Sequence, residues 1–228
     1  MIPLSDSEAT RRLTPANTLL IAVNLAVFVL EARLGAGAGR ELAHFAMVPA
    51  YVSRMHAMAR ETDVLATLIT SMFLHANVLH VAGNMLYLFI FGPAVEERLG
   101  HLRYLAFYLI AGIVAGLATV AMAPASEVAV IGASGAIAGV LGAYLVLFPA
   151  ARITTILPIF VFVQFIKVPA IFYLLLWFAV QLYAGLASGA TGPLVGGVAW
   201  WAHVGGFLFG VAAGPLLARR LPTPRRRR

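Results

Sequence analysis

The feature that most constrains this chain is a series of apolar runs that are nearly free of charge. A helix rises 1.5 Å per residue, so about 20 apolar residues span the roughly 30 Å of hydrocarbon in a bilayer. Charged side chains are rare in such runs because an Arg, Lys or Asp at mid-membrane costs roughly 2.5–3.5 kcal/mol. Six runs fit, with spans predicted at Thr18–Leu34, Phe73–Gly92, Tyr104–Ala123, Ala133–Phe148, Pro169–Ala187 and Val198–Leu217.

The overall composition supports the same interpretation. Of the 228 residues, 61% are hydrophobic and 11% are charged, whereas soluble domains have roughly 45–50% apolar and about 25% charged residues. We therefore predict an all-α integral membrane protein, a six-transmembrane-helix bundle with a long outer loop between helices 1 and 2. The predicted parts are a short cytoplasmic segment (1–17), a membrane domain (18–217) and a basic cytoplasmic tail (218–228).

A seventh apolar run, Ile153–Ile166, is too short to cross the hydrocarbon layer as a helix. It has only fourteen residues, contains Pro158 and is separated from the next run by Lys167 and Pro169. We predict an interfacial or re-entrant loop here.

The charge distribution gives the predicted orientation. Six spans place both Arg-rich ends of the chain on one side, which the positive-inside rule assigns to the cytoplasm. The formal net charge of +7 also raises the possibility of nucleic-acid binding. The basic residues at the two ends of the membrane domain are Arg11, Arg12, Arg219, Arg220 and Arg225–Arg228. Residues that set topology or contact lipid headgroups lie at such positions, which argues against a nucleic-acid partner.

Two connections on the predicted outer side have distinctive compositions. Gly35–Met72 is long, and its apolar cluster at Phe45–Val52 predicts short helices lying on the membrane surface. Ser188–Gly197 is rich in glycine and is predicted to be a mobile loop and a candidate lid.

Four polar residues inside or at the ends of the predicted spans are the strongest functional signal. Polar groups in lipid cost free energy and usually face the bundle interior or a water-filled cavity. His80 and Asn84 are four residues apart and so share a helix face, while Ser134 begins the fourth span and His203 begins the sixth. Because the second, fourth and sixth spans cross in the same direction, these residues are predicted to lie at similar depths.

Small residues accompany two of these positions. Gly206, Gly210 and Gly214 follow His203 at four-residue spacing, and Ser134 is followed by Ala138 and Gly142 at the same spacing. Such rows allow close helix packing, and most serve packing alone. A single membrane serine also commonly bonds its own helix, so it is the conjunction of serine and histidine that favours a catalytic site.

Other chemistries have weaker support. The chain has no cysteine, which excludes disulfides and thiolate nucleophiles, and no cofactor is predicted. His75, His80 and His203 are conceivable metal ligands, but there is no HExxH motif and no Asp or Glu within the second to sixth predicted spans. A transporter or channel would be expected to carry an intramembrane carboxylate or lysine on its pathway.

Four motifs, in this order, resemble the rhomboid family of intramembrane serine proteases, and the resemblance extends from about Thr70 to Gly214. They are Phe73-Leu74-His75-Ala76-Asn77 leading to His80-x-x-x-Asn84, Gly92-x-x-x-Glu96-x-x-x-Gly100, Gly132-Ala133-Ser134-Gly135, and Ala202-His203-x-Gly205-Gly206.

The resemblance implies a role for each matched residue. Ser134 is the implied nucleophile and His203 its general base, without an aspartate. His80, Asn84 and the Ser134 backbone N–H are the implied oxyanion donors. The implied supporting residues are His75, Gly132 and Gly135.

The resemblance also implies the partners and the setting. The substrates would be transmembrane segments of other membrane proteins, cleaved near the outer face of a bilayer, in a bacterial inner membrane with both termini cytoplasmic. The oligomeric state stays open. A non-catalytic protein that binds transmembrane helices is the alternative, since one fold supports both uses.

Two positions depart from the family pattern. Many relatives have a Trp-Arg pair where this chain has Ala66 and Thr67, so the anchoring of the first outer loop is expected to differ. Some relatives place an aromatic residue one turn after the serine, stacked on the histidine, whereas this chain has Ala138. We therefore expect other neighbours to orient His203.

Overall fold

A computed structural model describes residues 2–8, 13–35, 42–54, 63–159, 162–188 and 198–218. Several sequence predictions lie outside these residues. They concern the terminal arginines, most of the predicted lid at Ser188–Gly197, and parts of the first outer loop.

The prediction of a helical membrane bundle is confirmed. Six helices correspond to the six predicted spans, and two short α-helices and two 3₁₀ turns lie in the described part of the connection between the first two spans. The six are α1 (Pro15–Leu34), α4 (Val78–Leu99), α5 (His101–Met122), α6 (Ser134–Leu147), α7 (Ala170–Ala187) and α8 (Trp200–Leu217). All of these except α6 are long and apolar enough to cross a membrane by length and composition.

Helix α6 is short because it occupies the centre of the bundle. Its 14 residues extend about 21 Å, less than the hydrocarbon thickness. Every residue from Gly135 to Leu145 is buried, so the neighbouring helices cover this helix almost completely. A helix that does not face lipid has no need to match the bilayer thickness.

The glycine rows bring α6 and α8 into backbone contact. An added methyl group at Gly206 would overlap the carbonyl oxygen of Gly135, and one at Gly210 would overlap that of Gly139. A methyl group at Gly214 would lie 2.8 Å from Cβ of Ala143. The two rows pair in the same order, so the helices are parallel. The α8 glycines thus face a row on α6 that begins at Gly135, next to the predicted row that begins at Ser134. The predicted row also contacts α8, since a Cβ atom on Gly142 would overlap the Phe207 carbonyl oxygen.

Helix α4 begins and ends later than predicted. Asn77 caps it, accepting a hydrogen bond from the His80 backbone N–H at 2.9 Å, so the helix starts at Val78 instead of Phe73. It continues to Leu99, and Gly100 at φ 84° separates it from α5. Glu96 is consequently inside α4 and completely buried, which corrects the prediction that no carboxylate lies within the second to sixth spans.

The Ile153–Ile166 run forms a β-hairpin rather than an interfacial or re-entrant loop. Strands β2 (Arg152–Ile159) and β3 (Phe162–Pro169) pair antiparallel along their length. The N-terminal strand β1 (Ile2–Ser5) adds to β2, giving the order β1-β2-β3. The many β-branched residues in this run favour a strand. The helical bundle thus carries a small sheet.

The connection between α1 and α4, which the sequence predicts to be the first outer loop, contains the expected short helices in its described part. They are a 3₁₀ turn at Ala43–Phe45, α2 (Pro49–Ser53) and α3 (Asp63–Thr70), followed by a second 3₁₀ turn at Ser71–Phe73. The loop also holds the segment that precedes α6. Met47 and Val130 exchange two backbone hydrogen bonds of 3.2 and 2.7 Å, and the Gly132 N–H donates to the Ser71 carbonyl at 2.8 Å.

Candidate active site

One cavity of about 540 Å³ is lined by all four of the polar residues singled out in the sequence. His80 is the third residue of α4, Ser134 the first of α6 and His203 the fourth of α8. The cavity therefore lies where these three helices begin. Asn84, one turn further along α4, completes the polar part of the lining. We call this space the site cavity.

The backbone just before Ser134 has an unusual conformation. Gly132 has φ +118°, a conformation that side-chain-bearing residues rarely adopt. A Cβ atom at Gly132 would lie 2.7 Å from Cε1 and Nε2 of His80 and 3.6 Å from Nδ2 of Asn84. Glycine at this position therefore lets the main chain before Ser134 approach both side chains of α4 closely.

His203 is held from three directions and is only 8% exposed. Its Nδ1 lies 2.7 Å from Oε1 of Gln181 on α7. The Trp177 and Trp200 rings have centroids 5.7 and 6.3 Å from the imidazole. Nε2 of His203 has no hydrogen-bond partner among the described residues, and it is therefore not bonded to the Ser134 hydroxyl. The ring is thus fixed on one side and chemically available on the other.

His80 and Asn84 supply polar groups to the opposite wall. Asn84 is buried, and its Nδ2 donor has no partner within the described part of the chain. An unpaired buried donor or acceptor typically costs about 1–3 kcal/mol. The cavity therefore contains an uncommitted acceptor on His203 and an uncommitted donor on Asn84, on either side of the Ser134 helix start.

The three residues expected to support the site have different positions. Gly132 lines the site cavity. Gly135 does not, since it packs against Ala115 and Ala202, where an added Cβ would lie 2.6 and 3.5 Å from their Cβ atoms. His75 lies behind His80, with ring centroids 5.1 Å apart, and its backbone N–H donates to the Glu31 carboxylate at 3.2 Å.

The two departures from the family pattern also have structural contexts. Thr67 is buried within α3, where its hydroxyl donates to the Val64 carbonyl at 2.5 Å. Ala138 is fully buried and faces α8, with its Cβ 3.4 Å from the position of a Cβ on Gly206. A small side chain at position 138 thus belongs to the close contact between α6 and α8.

Gln181 is the site residue that the sequence analysis missed. The criterion that selected His80 and Asn84, a polar residue inside an apolar span, applies equally to Gln181 in the Pro169–Ala187 run. Its relation to His203 depends on the packing of α7 against α8, which no local motif records. Among the described residues, no group of three or more His, Asp or Glu side chains is placed to hold a metal ion.

Comparison with known proteins identifies what the chain is similar to. The family model of the rhomboid domain matches residues 62–220. The putative rhomboid protease YdcA of Bacillus subtilis is 44% identical over 78 residues, covering 34% of this chain and 39% of YdcA. The mitochondrial rhomboid protein 1 of Saccharomyces cerevisiae is 31% identical over 168 residues, covering 71% of this chain and 44% of that protein.

A third relative, the rhomboid protease GluP of Bacillus subtilis, is 40% identical over 92 residues, covering 38% of this chain and 18% of GluP. The chain matches less than half the length of each of these three relatives. The resemblance read from the four motifs is confirmed by the family match.

Proposed function

The chain belongs to the rhomboid family, and on this basis we propose that it is an intramembrane serine endopeptidase that uses Ser134 and His203 to cleave transmembrane segments of other proteins. One observation carries the proposal. Ser134 and the buried, uncommitted Nε2 of His203 belong to the same cavity, at the adjoining ends of two parallel helices.

The proposed reaction is acyl transfer to the serine followed by hydrolysis. Ser134 Oγ attacks the scissile carbonyl carbon while His203 Nε2 takes the hydroxyl proton. The C–N bond then breaks, and the imidazolium returns the proton to the leaving amine. Water, deprotonated by His203, hydrolyses the acyl-enzyme. Catalytic hydrogen bonds are often long in free enzymes and tighten in the complex, so the open Ser134–His203 pair is compatible with this chemistry.

The proposed oxyanion donors are His80, Asn84 and the Ser134 backbone N–H. Ser134 is the first residue of α6, and the first backbone N–H groups of a helix have no partner within it. The positive end of the helix dipole favours negative charge at this point. Nδ2 of Asn84 supplies a second preformed donor. Such donors stabilise the transition state without reorganisation during the reaction.

The proposed setting follows the sequence analysis. Residues 18–217 would form the rhomboid membrane domain, and residues 1–17 and 218–228 would be cytoplasmic. Protease protection of a tag fused to either end of the chain would test this orientation. The site cavity would then open near the outer face of a bacterial inner membrane. The substrate helix would unwind at its outer end to present a carbonyl to Ser134, and the polar lining would hold the water that hydrolysis requires.

The decisive experiment uses purified protein in liposomes with a single-span reporter. We expect cleavage of the reporter and labelling of Ser134 by a fluorophosphonate, both lost in Ser134→Ala. Ser126→Ala, outside the cavity lining, is the matched control and should behave as wild type. Continued cleavage by Ser134→Ala would refute the assignment. Reporter binding without cleavage by the wild type would instead favour the non-catalytic helix-binding protein.

A further inference from the structure

The contact between Gln181 and His203 is a hydrogen bond between two buried side chains. Gln181 lies on α7 and is 7% exposed, and His203 lies on α8 and is 8% exposed. Oε1 of Gln181 is 2.7 Å from Nδ1 of His203, a distance typical of a strong hydrogen bond. Water cannot easily replace either partner at this depth of burial.

The orientation of the Gln181 amide is set by its second contact. Nε2 of Gln181 donates to the backbone carbonyl of Trp177, one turn earlier on α7, at 3.3 Å. A carbonyl can only accept, so the nitrogen of the amide faces Trp177 and the oxygen faces His203. The reverse orientation would place two acceptors against each other and a donor against Nδ1.

The amide oxygen selects one tautomer of the imidazole. Because an amide oxygen accepts and does not donate, Nδ1 of His203 must carry the proton in the neutral ring. The lone pair is then on Nε2, the atom that has no partner among the described residues and belongs to a cavity-lining side chain. This is the tautomer that a base directed at Ser134 requires.

We infer that Gln181 is a positioning residue that fixes the tautomer and ring orientation of His203, the part an aspartate takes in a catalytic triad. The inference rests on the proposed function for its catalytic meaning. An uncharged partner suits this site, since a carboxylate here would be a buried charge next to a neutral ring. Ala138 on α6 is too small to orient the His203 ring, and Gln181 on α7 orients it instead.

The first test reads the tautomer directly and needs no activity. In ¹⁵N spectra of histidine-labelled protein in liposomes, the His203 signals are assigned by their loss in His203→Ala. We expect Nδ1 to be protonated and Nε2 to be unprotonated in the wild type. An Nε2-protonated ring, or an equal mixture of tautomers, would overturn the inference. This result is independent of whether Ser134 proves to be a nucleophile.

The second test separates positioning from packing. Gln181→Met keeps the length of the side chain and removes the acceptor, while Gln181→Glu keeps an acceptor oxygen. We expect Gln181→Met to mix the tautomers and lower kcat for the reporter about 10- to 100-fold with little change in KM. Gln181→Glu should keep Nδ1 protonated. Gln164→Met, on the exposed strand β3, is the matched control.

A purely structural role gives a different pattern. It predicts that Gln181→Met retains both the wild-type kcat and the wild-type tautomer, and that outcome would overturn the inference. Thermal unfolding of each variant in the same liposomes establishes that the compared proteins are folded. If Ser134→Ala still cleaves the reporter, the protease proposal fails, while the tautomer of His203 is still decided by the spectra.

Discussion

The two ends of helix α4 differ in whether their buried polar side chains are hydrogen-bonded. His80 and Asn84 lie in its first two turns, and Glu96 lies in its last turn, about 24 Å from His80 along the axis. At the first end, Nδ2 of Asn84 has no partner among the described residues. At the other, both oxygens of the fully buried Glu96 carboxylate are bonded.

The partners of Glu96 tie α4 to both neighbouring helices. The carboxylate accepts from the backbone N–H groups of Ala16 and Asn17 at 3.1 and 2.7 Å, in the first turn of α1, and lies 2.6 Å from Nδ1 of His101 at the start of α5. The Asn17 side chain in turn accepts from the Tyr104 hydroxyl at 2.7 Å and donates to the Leu88 carbonyl at 3.1 Å. We call these residues the Glu96 network.

This difference teaches what a polar group inside the bundle is used for. A fully bonded group stabilises the packing of helices and has no capacity left for a ligand. An unpaired group raises the free energy of the folded protein but retains its full hydrogen-bonding capacity for a substrate. We therefore expect substitutions in the Glu96 network to change stability, and substitutions in the site cavity to change activity.

The largest effect is expected for His203→Ala. Removing the proposed general base should lower reporter cleavage by roughly 10³- to 10⁶-fold, the range seen when one member of a cooperating catalytic set is lost. The midpoint of thermal unfolding should fall less than in Glu96→Ala, because the variant leaves a single buried acceptor, Oε1 of Gln181, without its partner. His44→Ala, at an exposed position of the first outer loop, serves as the control. Equal activity of the two variants would contradict the assigned role.

Glu96→Ala should show the reverse pattern. It leaves the buried backbone N–H groups of Ala16 and Asn17 without their acceptor, and each unpaired buried donor typically costs about 1–3 kcal/mol. Denaturant titration would measure the loss in free energy of unfolding, and kcat per folded molecule should be unchanged. Glu127→Ala removes an exposed ion pair with Arg54 at 3.9 Å and should cost less than about 1 kcal/mol. A selective loss of kcat in Glu96→Ala would break the comparison.

Asn84→Ala tests the unpaired donor at the first end. Loss of one oxyanion donor lowers kcat by about 10²- to 10³-fold in serine proteases. Stability should be unchanged or slightly raised, because the variant removes an unsatisfied buried group. Asn17→Ala provides the contrasting asparagine, since both polar atoms of its side chain are bonded and its loss should lower stability while sparing kcat. Similar profiles for the two variants would contradict the division.

The Glu96 motif was visible in the sequence, but its role was not. A second span predicted from hydropathy alone, Phe73–Gly92, leaves Glu96 outside. The Asn77 cap moves the start of the helix to Val78, so a helix of the same length ends beyond Glu96. A capping residue reads the helix start more accurately than an apolar average does. The partners of Glu96 come from α1 and α5, so only the assembled bundle reveals them.

The grouping of the four candidate site residues was predictable, since polar residues in apolar runs are costly and therefore informative. Ser134, His203, His80 and Asn84 were selected on this basis, and the structure places all four around one cavity. Gln181 needed the packing of α7 on α8. The β-hairpin strands at 152–159 and 162–169 were missed because a short, almost continuously apolar run has no periodicity that separates a strand from a buried loop.

The smallest effect concerns Asp6, a carboxylate at the same end of the bundle as Glu96 but with fewer partners. Burial raises the pKa of the Asp6 carboxyl above its ordinary value, and the hydrogen bond from the Tyr144 hydroxyl at 2.6 Å offsets this only in part. The ionised form is thus disfavoured when β1 is docked. Docking should be strongest below the ordinary pKa of the carboxyl, weaken as pH rises from there through the raised pKa, and be independent of pH above it.

Hydrogen exchange of the β1 amides as a function of pH would measure this dependence. Asp6→Asn keeps an acceptor for Tyr144 and should remove the pH dependence without releasing the strand. Glu8→Gln, a nearby carboxylate, is the control and should leave most of the dependence in place. A pH-independent exchange rate in the wild type would contradict the prediction.

The sheet also imposes an order on biosynthesis. Strand β1 (Ile2–Ser5) is synthesised before its partner β2, which begins only at Arg152. At five to twenty residues per second, roughly 8 to 30 s separate the synthesis of the two strands. During that interval α1, α4, α5 and α6 are all made, while Ile2–Ser5 lacks the strand with which it pairs in the finished protein. Strand β1 therefore completes its pairing only after four of the six long helices have been made.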